Sequence, residues 1–357
     1  MVRWQNFYKS WVLPLRWRGA LLPLVAVLSA LLVGAGLMLV AGANPLTAYG
    51  ALFRQALTTY FGFADTLTKT TPLLLVSLGV LVALRAGQFN LGGEGQIYMG
   101  GLGSLLLGLA WPDLPLVVHL PLALAGGFGF GAVWGAIAGY LKVARGLNEV
   151  LTTLLLNYVA QYLISYLVTG PLKAANATSP FSELVPVSAR LPAILPQTQA
   201  HAGIFLGLFL AGLLTVAFAI SAWGYRVDAV GQNPVAASYA GIRVNRTILS
   251  VMALSGGLAG LAGSSEVLGL KYRLFEDFSP GYGFDAVAIA LLSRGNPIAV
   301  IITAFFFGIL RSGANVMQRS ASVPVAIIYA IQGLTVLFVA ISLAVDQKKT
   351  PQEQRSN

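Results

Sequence analysis

Apolar residues in this chain run in long blocks separated by short polar stretches. Crossing a bilayer takes about 20 residues of helix. Blocks of that order lie at 20–42, 70–87, 90–111, 116–141, 150–169, 203–223, 247–269, 282–293, 297–317 and 323–345. They predict an all-α, polytopic membrane bundle of about ten transmembrane helices, the eighth too short to cross alone. The run from Ala20 to Ala41 exceeds the apolar stretch of a secretion signal, so it reads as a retained first helix. Residues 20–345 then form one membrane domain. Segment 1–19 precedes it, with Trp4, Tyr8, Trp11 and Trp17 interleaved with Arg and Lys as at a headgroup layer, and the polar tail 346–357 follows.

Glycine enters the blocks in two ways. Gly127, Gly131, Gly135 and Gly139 recur every four residues along one face of the fourth span, and Gly256, Gly260 and Ser264 repeat the device in the seventh. Such stripes let another helix backbone approach closely. Elsewhere glycine breaks a span. The stretch Arg85–Gln96 holds four glycines and Glu94, which predicts a discontinuous helix, tolerated in a membrane only where the irregular backbone is buried or lines a cavity. Asn90, Glu94 and Gln96 are then candidates for the pathway or a gate. In the competing explanation Asn90 caps the third helix and Glu94 sits in its first turn, complementing the dipole. A similar entry, Ser279–Asp285, comes from the opposite side, as an inverted repeat of spans 2–5 and 7–10 would leave. Glu266 and Asp285, ionisable in apolar surroundings, are functional candidates by default; ion pairing with Lys271, Arg273 or Arg311 is the alternative.

The polar insert Tyr225–Arg246 lies between two apolar blocks. Asn233 is placed to cap a helix whose first residue is Pro234, and Gly241 supplies a left-handed stop about two turns later. With Ala236, Ala237 and Ala240 on the stub and Arg226, Arg243 and Arg246 around it, the insert predicts a partner-docking element facing the cytoplasm. On the other side, residues 44–69 include an apolar-rich stretch, Leu46–Tyr60, that reads as a helix lying on the outer surface. Pro171–His201 is the longest polar gap. Together they form a candidate docking face for an extracytoplasmic partner.

Composition sharpens the class. The chain is 57% hydrophobic and 10% charged, against roughly 25% charge in soluble domains. A net charge of +10 would suggest nucleic acid in a soluble protein, but here the basic residues sort by loop. Arg3, Lys9, Arg16, Arg18, Lys142, Arg145, Arg226, Arg243, Arg246, Lys348, Lys349 and Arg355 share one side. By the positive-inside rule that side and both termini are cytoplasmic, and no nucleic-acid partner is expected. The chain has no cysteine, which excludes disulfides and thiolate-held metals. His119 and His201 lie far apart and outside any metal-spaced motif. No phosphate-binding G-x-x-x-x-G-K-[ST] loop occurs, so ATP-driven work requires another polypeptide.

Four stretches carry a resemblance: Phe89–Gln96 (FNLGGEGQ), Gly146–Tyr158 (GLNEVLTTLLLNY), Gly231–Ile242 (GQNPVAASYAGI) and Gly281–Ile289 (GYGFDAVAI). Together they resemble the permease subunits of ABC importers for simple sugars, nucleosides and branched-chain amino acids, over about residues 20–345, and look closest to the nucleoside or simple-sugar branch. The resemblance implies a cell (plasma or inner) membrane location and about ten helices. It implies pairing with a second permease subunit as a homo- or heterodimer, a cytoplasmic ABC ATPase, and a substrate-binding lipoprotein outside. It makes the stub the coupling helix, carried by Gly231, Asn233, Pro234, Ala236, Ala237 and Gly241. The loop ending at Glu149 and the turn Arg294–Pro297 are weaker ATPase contacts. No cofactor is expected in this chain, with ATP on the partner subunit and no chemical change to the solute. The alternative is an ion- or proton-coupled secondary transporter in which Glu94, Glu266 or Asp285 titrates. An intramembrane enzyme is disfavoured by the lack of a nucleophile–base set.

Overall fold

The computed structural model describes residues 17–341 apart from 176, 322, 325, 328, 332, 336, 339 and 340. The tail 346–357, nearly all of segment 1–19 and part of the last predicted span lie outside the described residues. The helices are α1 (Trp17–Val40), α2 (Pro45–Thr58), α3 (Tyr60–Arg85), α4 (Gly93–Ala110), α5 (Leu116–Arg145), α6 (Glu149–Thr169), α7 (Gly203–Ile220), α8 (Ala222–Gln232), α9 (Pro234–Tyr239), α10 (Val244–Glu266), α11 (Tyr282–Leu292) and α12 (Pro297–Ala321). Every described residue from Ala326 to Ile341 is helical. Among the described residues there is no strand, only isolated bridges joining Phe181 to Phe275 and Ala193 to His201.

Among the described residues six helices are long and apolar enough to cross a membrane: α3, α5, α6, α7, α10 with its π-helical extension Val267–Lys271, and the first part of α12. Two of them form the centre. On α3 every residue from Thr70 to Ala83 is buried, and on α10 burial is continuous from Ser255 through Glu266, the pattern of helices apolar all round that belong inside a bundle. By contrast α5, α6 and α7 each bury one face and expose the other.

The structure moves several predicted boundaries. The second span starts at Tyr60 rather than 70, because Thr66, Thr68, Thr70 and Thr71 return their hydroxyls to the carbonyls four residues back at 2.7–2.9 Å. A polar-looking stretch thereby satisfies itself inside the helix. The sixth stops at Ile220, where Ser221 Oγ accepts from Gly224 N–H and caps α8. The segment expected to lie on the outer surface is α2, an amphipathic helix with Leu46, Arg54 and Leu57 exposed and one face buried. Ala48, Leu52 and Ala56 are buried with Met38, Ile309, Leu310, Ala314 and Met317 in a small second core.

The two small-residue stripes face each other. A Cβ on Gly131 would collide with the Gly256 carbonyl and lie 2.7 Å from the Gly260 Cα, and one on Gly135 would strike the Met252 carbonyl. Gly127 sits against Ser264 and Ser104, whose hydroxyls bond each other at 2.6 Å, and Gly139 sits against Met252. Helices α5 and α10 thus cross at backbone contact, the geometry small residues permit where lipid removes the hydrophobic drive between helices.

At one end of the bundle, residues 171–202 form a cap pinned to the chain that follows α10. Leu191 N–H donates to Leu268 O at 2.9 Å, Val185 N–H to Tyr272 O at 2.8 Å and Ser182 N–H to Leu274 O at 2.8 Å. Both histidines serve this cap. His119 bonds Ser188 Oγ at 2.8 Å and Gly108 O at 3.1 Å. His201 Nδ1 accepts from Gly203 N–H at 3.2 Å, and burial pushes its imidazole down to about 4.

Candidate functional site

After α3 ends, residues 86–92 turn back into the bundle, and α4 begins with Gly93 beside Val76 of α3 and Gly283 of α11. Val76 is nine residues before Arg85, so at 1.5 Å per residue the junction lies roughly 13 Å inside the end of α3. Here the N-termini of α4 and α11 meet. Glu94 joins them: Oε2 accepts from Gly283 N–H at 2.7 Å and Oε1 from Gly281 N–H at 3.1 Å. The carboxylate thus satisfies two amides that open the other interrupted helix, and its charge complements both positive helix ends. Only glycine fits at 283, since a Cβ there would strike the Glu94 backbone nitrogen.

The irregular segment is held by polar side chains. Asn90 Nδ2 donates to Gln96 Oε1 at 2.9 Å and to Ser255 Oγ on α10 at 2.8 Å. Its Oδ1 accepts from Gly92 N–H at 2.9 Å. From α6, Asn157 Nδ2 donates to Leu91 O at 2.9 Å, Asn157 Oδ1 accepts from Gly95 N–H at 2.8 Å, and Thr153 Oγ1 accepts from Leu91 N–H at 3.2 Å. The cap of α4 is Gly92, not Asn90. Asn90, Glu94 and Gln96 are all buried and engaged within the chain, as a membrane requires of interrupted backbone.

The other ionisable candidates are placed as follows. Asp285, in the first turn of α11, accepts from Arg311 Nε at 2.6 Å, and Arg311 also donates to Pro280 O at 3.1 Å. Of the partners considered for it, Arg311 is the one engaged. Glu266 is buried at the end of α10 beside Tyr282, within the field of Lys69, Lys271 and Arg311. Among the described residues no group of His, Asp and Glu is arranged to hold a metal.

The Arg85 end of α3 is the second locus. Arg85 clasps Asp228 of α8 with two bonds, Nε to Oδ1 at 2.8 Å and Nη2 to Oδ2 at 2.6 Å. It donates from Nη1 to Gly295 O beyond α11 at 3.2 Å and lies over the Phe218 ring at 4.0 Å. Gly231 packs directly on the Arg85 carbonyl. One guanidinium therefore ties α8 to the ends of α3 and α11. On the same side, Lys142 pairs with Glu149 at 2.8 Å, and Asn296 caps α12 through Ile298 N–H at 2.9 Å. Asp228→Asn keeps an acceptor but loses the charge-assisted fork, and is expected to cost about 1–2 kcal/mol in melting; unchanged melting would show the clasp carries no load.

From α8 the chain passes into α9. Asn233 Oδ1 accepts from Val235 and Ala236 N–H, each at 3.0 Å, Pro234 is the first helical residue, and Gly241 turns the chain at φ +81°. The expected docking face needs one correction. Ala237 is 4% exposed and packs inward under the stub, while Val235 is 64% and Tyr239 90% exposed. Ala236 and Ala240 remain outside.

Sequence reading missed Arg85, Asp228, Ser255, Thr153 and Asn157 as parts of these two loci. The last was legible as one of two amides, with Gln161, in a largely apolar helix; the others became visible only once their partners were in place.

The molecule is a helical bundle with helices interrupted at depth and an exposed stub at one end, and its relatives place it among transport subunits. The chain belongs to the family described as branched-chain amino acid transport system / permease component, whose model matches residues 62–340. It is 34% identical to the glucose ABC transporter permease protein TsgB13 of Haloferax volcanii, over 90% of this chain and 87% of that one. It is also 34% identical to the guanosine ABC transporter permease protein NupP of Bacillus subtilis (91% and 94% covered), and 30% to the nucleoside ABC transporter permease protein NupB of Lactococcus lactis (92% and 93%). No solved structure matches. The chain is thus a multi-pass membrane protein and the permease subunit of an ABC importer; it is not an enzyme, and ATP is used by a partner ATPase.

Proposed function

We propose that this permease carries a nucleoside or simple sugar inward across the cell membrane, with both termini cytoplasmic, as one of two permease subunits in a homo- or heterodimer. An extracytoplasmic lipoprotein delivers the solute to the side of the 171–202 cap. A cytoplasmic ATPase engages α9. The substrate class rests on the relatives, named for glucose, guanosine and nucleosides, solutes that share a hydroxylated ring.

The single observation that carries the coupling role is the Arg85 clasp. It joins the α8–α9 insert to α3 and to the turn after α11, so a push on the stub reaches the helix that precedes one break and the turn that follows the other interrupted helix. Gly231 and Asn233 set the approach and the cap, Pro234 and Gly241 bound the stub, and Ala237 seats it on the bundle. Ala236 lies on the contact side with Val235 and Tyr239. Asn90, Glu94, Gln96, Glu266 and Asp285 act in this reading as the polar framework of the moving junction.

Tyr239→Arg places a charge where an apolar side chain would be buried by the ATPase. Loss of a buried aromatic contact is worth about 2 kcal/mol or more, so ATPase association is expected to weaken roughly 30-fold, with the melting of the isolated permease unchanged. Co-purification of Tyr239→Arg with its ATPase at wild-type yield, together with full ATP-dependent uptake, would remove α9 from the coupling role. Uptake of labelled guanosine and glucose by the reconstituted complex settles the substrate class.

A further inference from the structure

Asn90, Glu94, Gln96 and Asn157 at the junction spend their polar atoms within the chain, which leaves the outward faces of the bundle as surfaces that a polar solute can meet. The outward faces of α6 and α7 differ in chemistry. On α7 the exposed residues Phe205, Phe209, Leu213, Val216 and Ile220 are all hydrocarbon, as lipid contact requires. On α6 the exposed face carries Leu151, Leu155, Tyr158, Tyr162 and Tyr166, at 62, 66, 58, 72 and 66%, with Val159 at 52% beside them.

Depth separates this stripe from an ordinary aromatic belt. Helix α6 spans Glu149–Thr169, which puts Tyr158 and Tyr162 within about 5 Å of its midpoint at 1.5 Å per residue. Tyrosine in a belt sits at the headgroups instead, and a phenol turned to hydrocarbon at mid-depth leaves its hydroxyl without a partner. Beside the stripe, Gln161 Nε2 donates to Asp277 Oδ1 and Ser165 Oγ to Glu276 Oε1, each at 2.6 Å. Both acids are exposed, which makes the end of the stripe near Thr169 polar. From the opposite face of the same helix Asn157 and Thr153 grip the interrupted segment, so the stripe is coupled to the junction.

We infer that Tyr158, Tyr162 and Tyr166 line the translocation route, offering ring faces for stacking and hydroxyls for hydrogen bonds to a ring-bearing polar solute, and that the second permease subunit closes its far side. This rests on the importer reading above. Aromatic stacking suits a nucleobase or the apolar face of a sugar, and the hydroxyls match ribose or glucose oxygens.

The chain contains no cysteine, so Tyr158→Cys, Tyr162→Cys, Tyr166→Cys and, as a lipid-facing control, Phe209→Cys each introduce a single thiol. The complete complex, in which any partner cysteines are first replaced, is reconstituted in vesicles and treated with a membrane-impermeant thiol reagent. The three stripe positions are expected to react at least about tenfold faster than Phe209→Cys, because the reactive thiolate forms in water. Guanosine or glucose should slow labelling, and modification should abolish whatever ATP-dependent uptake the cysteine variants keep. Stripe thiols as inert as Phe209→Cys, or reactive in the isolated chain but protected in the complex regardless of solute and nucleotide, would overturn the proposal in favour of lipid or a subunit contact. Absence of ATP-dependent uptake by the wild-type complex would overturn the importer reading, whereas intact wild-type uptake with inert Tyr158→Cys and Tyr162→Cys overturns this inference alone.

Discussion

Glu94→Ala is expected to lower stability by about 2–6 kcal/mol, since each buried N–H left unpartnered costs roughly 1–3 kcal/mol and the carboxylate accepts two, from Gly281 and Gly283. The loss also leaves two helix N-termini facing each other with no negative charge between them. Melting in detergent should show the drop, and ATP-dependent uptake should vanish. Glu94→Gln keeps an acceptor oxygen but replaces the other with a donor that meets an N–H, so it should fall between wild type and alanine. Glu94→Ala melting like wild type would show that the two interrupted helices hold together without the carboxylate. Normal uptake by Glu94→Gln would remove its charge from the transport cycle.

Gly131→Leu is the second large effect. Its Cβ alone would meet the Gly256 carbonyl and the Gly260 Cα, and backbone cannot rotate aside as a side chain can. Helices α5 and α10 must separate, and α10 is at the centre of the bundle. Overpacking costs about 1–3 kcal/mol where side chains yield; here the upper end or beyond is expected, read as early melting and poor recovery of folded protein. Gly129→Leu is the control on the same helix, since nothing lies within 4 Å of a Cβ there. Equal melting of the two variants would mean that the crossing is not at backbone distance in the folded protein.

Much of the architecture was legible because membranes impose a coarse rule, continuous apolar length, and the blocks at 116–141 and 150–169 lie within α5 and α6. The rule failed where polar residues satisfy themselves. Four threonines, Asp65 and Lys69 hid the first turns of α3, although back-bonded hydroxyls make that stretch good helix inside a bundle. Both small-residue stripes were readable from their four-residue spacing, but periodicity on one helix does not say which other helix it meets. That Gly131 faces Gly256 is a tertiary fact.

At the junction, glycines and an acid in an apolar block revealed that a helix was broken. They did not reveal that Glu94 reaches across to α11, because helix capping is read from neighbours in sequence. The stub was bounded by Asn233, Pro234 and Gly241 from local chemistry alone. Its orientation was not: with six residues in α9, no periodicity fixes which alanine turns inward, and packing chose Ala237.

The Glu94 bridge joins residues 187 and 189 positions apart, and that separation governs biogenesis. At 5–20 residues per second of synthesis, the glycines that receive the carboxylate emerge roughly 10–40 s after it. Throughout that interval α4 carries an acid with its final partners still untranslated, an expensive group to leave in hydrocarbon. The nascent first half would therefore need water or another polar group at Glu94 until α11 arrives. A chain that ends before residue 281 would leave this carboxylate without the two amides that the complete chain supplies.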